Sequence, residues 1–125
     1  MLFLKENEIE FDDLQKKIGE MIGSESLQKI QSSLVYLFEE ISYARYQWEK
    51  CLINHDWDLA SKIFHRETIF INTLVSFQKP QLVFEIQKNH HDFASSELVL
   101  FYTEMIEFFK KVEMLIVQNN GQLPV

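Results

Sequence analysis

The residues of this chain that could do chemistry are four histidines, one cysteine and a scatter of carboxylates. Helical bundles often build metal sites from side chains on facing helices. His55, His65, His90 and His91 have Asp56, Glu67, Glu85 and Asp92 near them in sequence. A di-iron bundle needs a Glu-x-x-His pair on each of two helices, and the sequence contains none. His90 and His91 are adjacent, so on a regular helix their side chains diverge by about 100° and cannot share one ion. His65 has Ile69, not histidine, four residues on. These residues are therefore read as surface and capping histidines, with no metal ligand and no cofactor expected.

Cys51 falls on an apolar stripe, where a thiol behaves as a small inert hydrophobe. His55 lies one turn further on and could act as a base toward it, but a nucleophile in a helical seam has poor substrate access. Asp12-Asp13 and Glu39-Glu40 are adjacent carboxylates on solvated helix faces. The chain has no Gly-rich phosphate loop, no Gly-x-Ser-x-Gly elbow and no Cys-x-x-Cys pair. No catalytic residue is assigned, and the chain is read as a non-enzyme.

The elements that position these residues follow from hydrophobic spacing. Composition points to an all-α fold: 46% of residues are apolar, with 11 Phe but only 3 Gly and 2 Pro for turns. Phe11, Leu14, Ile18 and Met21 mark a first helix over about 6–22, with Gly23 as its left-handed stop. Ser24 or Ser26 caps a second helix over about 25–54. Its stripe of Leu27, Ile30, Leu34, Leu37, Ile41, Ala44, Trp48, Cys51 and His55 alternates steps of three and four over about four heptads. Val35, Phe38 and Ile53 widen that stripe. Asn54-His55-Asp56 is a tight turn, and Asp56 caps a third helix over about 57–78, antiparallel to the second. Pro80 suits a first helical position and pushes Lys79 out of helical geometry. The last helical segment, about 81–118, is expected to kink or break near 89–96, where Asp92, Ser95 and Ser96 can cap. Asn119-Asn120-Gly121 ends it, with Pro124 in a tail. The whole, 1–125, is read as one antiparallel bundle of four helices, or five if the last is broken.

Charge and patterning exclude several partners. A net charge of -7 lacks the basic face that nucleic acid or an anionic membrane requires. The apolar Met1–Leu4 meets Lys5, Glu6 and Glu8 at once, too short a run for a signal peptide. A single cysteine suits a reducing compartment, so a cytoplasmic location is expected.

The aromatic residues carry the functional expectation. Tyr36, Tyr43, Tyr46 and Trp48 lie on the second helix, and Phe101, Tyr102, Phe108 and Phe109 on the last. The window 98–117 has 14 apolar residues in 20, spread over most of its circumference. A helix apolar all round must be covered all round, and a four-helix bundle has no central helix. Some of Leu100, Tyr102, Ile106, Phe109, Met114 and Val117 should then face solvent or a partner. The expected partner-binding residues are Phe101, Tyr102, Met105, Ile106, Phe109 and Val112, a Met-and-aromatic groove for a client or a second copy in a homodimer. On that reading Phe109→Asp leaves the monomer folded and abolishes binding. An alternative is an acidic inhibitor or immunity-type protein, with Glu6, Glu8, Glu10, Asp12 and Asp13 steering toward an enzyme or nucleic-acid-binding partner.

The segment 34–77 resembles the helical hairpin of small flagellar type III export chaperones. The corresponding words are Tyr46-Gln47-Trp48-Glu49, then Asn54-His55-Asp56-Trp57-Asp58-Leu59, then Arg66-Glu67-Thr68-Ile69-Phe70. The resemblance covers about a third of the chain and implies a cytosolic chaperone whose C-terminal helices contact clients and export machinery. It stops at Pro80, so no client-binding residue carries over.

Overall fold

The computed structural model describes residues 2–5 and 9–119. Six α-helices follow in chain order: α1 (Phe11–Ile22), α2 (Leu27–Asn54), α3 (Trp57–Arg66), α4 (Thr68–Leu74), α5 (Pro80–Lys88) and α6 (Ser95–Asn119). A 3-10 turn, His90–Asp92, separates the last two. The fold is an all-α bundle, with no strand among the described residues.

The helix boundaries are set by local chemistry. Gly23 stops α1 at φ 68°, and Ser26 starts α2 by accepting the Lys29 amide at 3.4 Å. His55 turns the chain after α2 at φ 52°, and the Asp56 carboxylate caps α3 through the Leu59 amide at 3.2 Å. Pro80 is the first residue of α5, with Lys79 held out of helical geometry before it at φ -131°. The expected break near 89–96 is present, between α5 and α6.

Two boundaries differ from the sequence reading. The first helix begins at Phe11, not near residue 6; Glu6 and Glu8 lie outside the described residues, as do Asn120, Gly121 and Pro124. The helix expected over 57–78 is two helices, broken at Glu67 and finished at Leu74. Thr68 explains the break: its hydroxyl donates to the carbonyls of Phe64 (3.2 Å) and His65 (2.8 Å), competing with the helical ladder. The β-branched run Thr68, Ile69, Ile71, Thr73 then gives a weak helix. Beyond it Val75 is extended.

That extended segment has a partner at the other end of the chain. Leu4 and Phe77 form an isolated antiparallel bridge, with Lys5 N–H donating to Ser76 (2.9 Å) and Gln78 N–H to Phe3 (2.8 Å). The buried Glu104 carboxylate on α6 accepts the backbone amides of Leu2, Phe3 and Leu4, each at 3.1 Å for its nearest oxygen. Phe3 thereby sits edge-on against Phe101, with ring centres 5.3 Å apart.

One apolar core runs through all six helices and the segment around Phe3 and Leu4. The inward seam of α2 is as the spacing predicts: Ile30, Leu34, Leu37, Ile41, Ala44, Trp48 and Cys51 are buried. Its end members, Leu27 and His55, are exposed.

The central element is α6, and this overturns the expected binding groove. Phe101, Tyr102, Met105, Ile106, Phe109 and Val112 are all buried in the monomer's own core. The premise of four peripheral helices fails because α6 is wrapped on several sides. The seam of α2 packs antiparallel along it, α1 contacts it, and Phe64 and Phe77 close over Phe101 at 6.0 and 6.4 Å. The strip 2–5 covers the side at Glu104. Of the α6 residues expected to face outward, only Leu100, Met114 and Val117 do.

Candidate functional site

The residues of α2 that miss its inward seam define the candidate site. Tyr36, Tyr43 and Tyr46 are each about half exposed, and Ile53 is 80% exposed. Steps of seven, three and seven place them on one face of the helix, opposite the buried seam. The face extends about 26 Å from Tyr36 to Ile53, at 1.5 Å per residue.

Neighbouring cations hold the rings. The Arg66 guanidinium lies 4.8 Å from the Tyr43 ring centre, and the Lys50 ammonium 4.5 Å from that of Tyr46. Such contacts contribute about 0.5–1 kcal/mol when exposed and restrict ring orientation. Phe70 sits 6.0 Å from Tyr36, so the bent α3–α4 pair forms the shoulder of the face. The break at Glu67 is what positions Arg66 and Phe70 there.

Glu67 itself points inward, with a side chain only 1% exposed, and accepts from Arg66 Nε at 3.0 Å. Burial pushes its carboxyl above the usual carboxylate range; Arg66 opposes the shift and the neighbouring Glu40 adds to it.

The other flank of α2 is locked onto α6 by charge. Glu113 accepts from Ser42 Oγ (2.6 Å) and Arg45 Nε (2.6 Å), and Arg45 also reaches Glu49 at 2.9 Å. Lys110 closes the group at 3.3 Å from Glu49. Hydrogen bonding to Glu113 raises the Arg45 pKa. Burial alone would lift the Glu49 carboxyl, but the bonds from Arg45 and Lys110 outweigh it and hold it low. The outward face of α2 is thus presented on a helix fixed from both sides, which lowers the ordering cost of binding.

The other residues singled out from sequence take structural places. Cys51 is buried, and desolvation, with Asp56 adding, pushes its thiol up to about 11, so it carries no thiolate. Trp48 is core and donates through Nε1 to the Ala60 carbonyl at 3.1 Å. Tyr102 accepts from Gln87 at 3.2 Å, and burial raises its phenol.

His90 and His91 are not on a regular helix. The 3-10 turn brings both toward Asp58 at the start of α3: His90 Nε2 is 2.7 Å and His91 Nε2 3.6 Å from Asp58 Oδ1. Sequence reasoning missed this grouping, because 32 residues separate His90 from Asp58. It also missed Arg66 and Phe70 as neighbours of the tyrosines. One signal was present: Tyr36, Tyr43 and Tyr46 all fall outside the seven-residue seam of their own helix.

No family model, no curated protein and no solved structure matches this chain. Among the described residues, no helix is long and apolar enough to cross a membrane.

Proposed function

We propose that this protein binds another protein, as a chaperone, adaptor or regulator, by taking an amphipathic helix of its partner along the outward face of α2. The observation that carries the reading is the row Tyr36, Tyr43, Tyr46, Ile53, left uncovered on the longest helix of the bundle. Tyr and Arg are enriched where interfaces concentrate their energy, because a ring or a guanidinium supplies area and polarity at small entropic cost. The heptad-like spacing of the row suits a helical occupant, which would present its own apolar residues every three or four positions. The exposed apolar residues of α6 are a poorer candidate, since Glu107, Lys110 and Lys111 separate Leu100 from Met114 and Val117. The resemblance of segment 34–77 to export chaperones makes an export client the narrower form of the proposal, while the placement on α2 rests on the exposed row alone.

The test is site-specific photocrosslinking in the native host, with a benzophenone side chain at Tyr46 and, as control, at Leu100. The reading requires a heterologous adduct from position 46 that the Tyr36→Glu/Tyr43→Glu pair abolishes while circular dichroism stays native. Adducts joining two copies of this chain would instead make the face a homodimer seam, and adducts only from position 100 would move the site to α6.

A further inference from the structure

We infer that Asp58, His90 and His91 form a binding site for a divalent first-row transition ion of the zinc class. One ligand atom from each of the three residues lies within 4.8 Å of the other two, and both Nε2 atoms face Asp58 Oδ1. Bond lengths of about 2.0–2.2 Å to nitrogen and oxygen place neighbouring ligands of a tetrahedral zinc about 3.3 Å apart. The separations of 2.7 Å and 3.6 Å from Asp58 Oδ1 bracket that distance. Rotation of the exposed Asp58 and His91 side chains about their own bonds adjusts the hydrogen-bonded group toward a ligand set.

The donor chemistry narrows the ion. Two imidazoles and one carboxylate suit zinc and its neighbours, whereas calcium and magnesium take all-oxygen sets. Three protein ligands leave a coordination position to water. Asp58 and His91 are 68% and 79% exposed, so an ion reaches the site directly. His90 is the anchored member, with its side chain 13% exposed and its ring 4.2 Å from that of His91.

The placement gives the ion a mechanical effect. Asp58 belongs to the first turn of α3, and the histidines form the connector between α5 and α6. An ion bound by all three ties that connector to the α2–α3 turn. Trp57, next to Asp58, stacks on Tyr102 with ring centres 6.2 Å apart and supplies a built-in optical reporter.

The experiment is titration of the purified, chelator-treated chain with zinc chloride, followed by calorimetry and thermal melting. Cobalt(II) serves as the spectroscopic probe, through its visible bands and its quenching of tryptophan fluorescence. One equivalent should bind and raise the melting temperature. His91→Ala and Asp58→Asn, both at exposed positions, should each weaken binding about tenfold or more without changing the apo melting temperature. His65→Ala should leave binding unchanged. No saturable binding by wild type, or wild-type affinity in His91→Ala, overturns the assignment. Equal loss in His65→Ala does so too, by showing nonspecific histidine binding.

Discussion

The indole of Trp48 on α2 lies 5.0 Å from the ring of Phe109 on α6, tilted 45°, with both side chains shut off from solvent. This pair belongs to the α2–α6 contact, the largest in the bundle. Phe109→Ala is expected to lower the unfolding free energy by about 3–5 kcal/mol, through lost transfer energy and the cavity left behind. Phe109→Asp should abolish the fold, since a carboxylate at that position has no partner. Urea titration followed by circular dichroism decides the matter; a native-like Phe109→Asp protein would restore α6 as a surface element.

Glu104 anchors the strip 2–5 with a charged acceptor, and hydrogen bonds to charged groups contribute about 1.5–3 kcal/mol each. Glu104→Ala leaves three amides without their acceptor and should cost about 3 kcal/mol. Hydrogen exchange localises the effect, with the amides of Phe3 and Leu4 losing protection before those of α2. Uniform loss across the molecule would mean that the strip is part of the global unfolding unit.

The direction of the Glu67 shift fixes a pH dependence. Its carboxyl is raised in the folded state by burial. The contribution to stability is fully present below the unfolded value near 4.5 and is lost as pH rises through the higher folded value. Glu67→Gln removes the buried charge while keeping an oxygen for Arg66. It should raise the melting temperature at neutral pH, and that gain over wild type should shrink in acid. A gain independent of pH would assign the effect to packing instead.

His55 is the one described non-glycine residue at positive φ. Left-handed geometry costs an L-residue about 1–2 kcal/mol, part of which glycine returns as unfolded-state entropy. His55→Gly should therefore stabilise by about 0.5 kcal/mol, reduced if the ring contact with Trp57 at 5.5 Å contributes. Gly23→Ala, at φ 68°, should act oppositely and destabilise by about 1 kcal/mol. Paired thermal melts measure both.

What was legible in the sequence is what local chemistry dictates. Gly23, Ser26, Asp56 and Pro80 mark ends because caps and stops involve residues within one turn of each other. The seam from Ile30 to Cys51 is legible because an apolar period of seven residues fits a packed helix and no strand. The arrangement around α6 was not, since apolar content says that a helix must be covered but not by what. The cover includes the strip at Phe3 and Leu4, too short to show any period. The break at Glu67 depends on the Thr68 hydroxyl choosing carbonyls over solvent, a competition that propensity alone does not resolve. The tyrosines of α2 stand out in the sequence beside Trp48, but aromatic content alone does not separate the outward Tyr36, Tyr43 and Tyr46 from the buried Trp48. Asp58 and the two histidines meet only because α3 and the α5–α6 connector pack together.

The tie between Phe3 and Glu104 has a consequence for biosynthesis. A ribosome finishes Phe3 a full 101 residues before it adds Glu104. The α1–α2 and α2–α3 hairpins close through short turns and can assemble as they emerge, but their common seat, α6, arrives last. Until then the seam of α2 lacks its largest partner, and the strip 2–5 can bridge 76–78 but lacks the Glu104 acceptor and the Phe101 ring. Nascent chains stalled before residue 95 should accordingly be held by general ribosome-associated chaperones, and release should coincide with the emergence of α6.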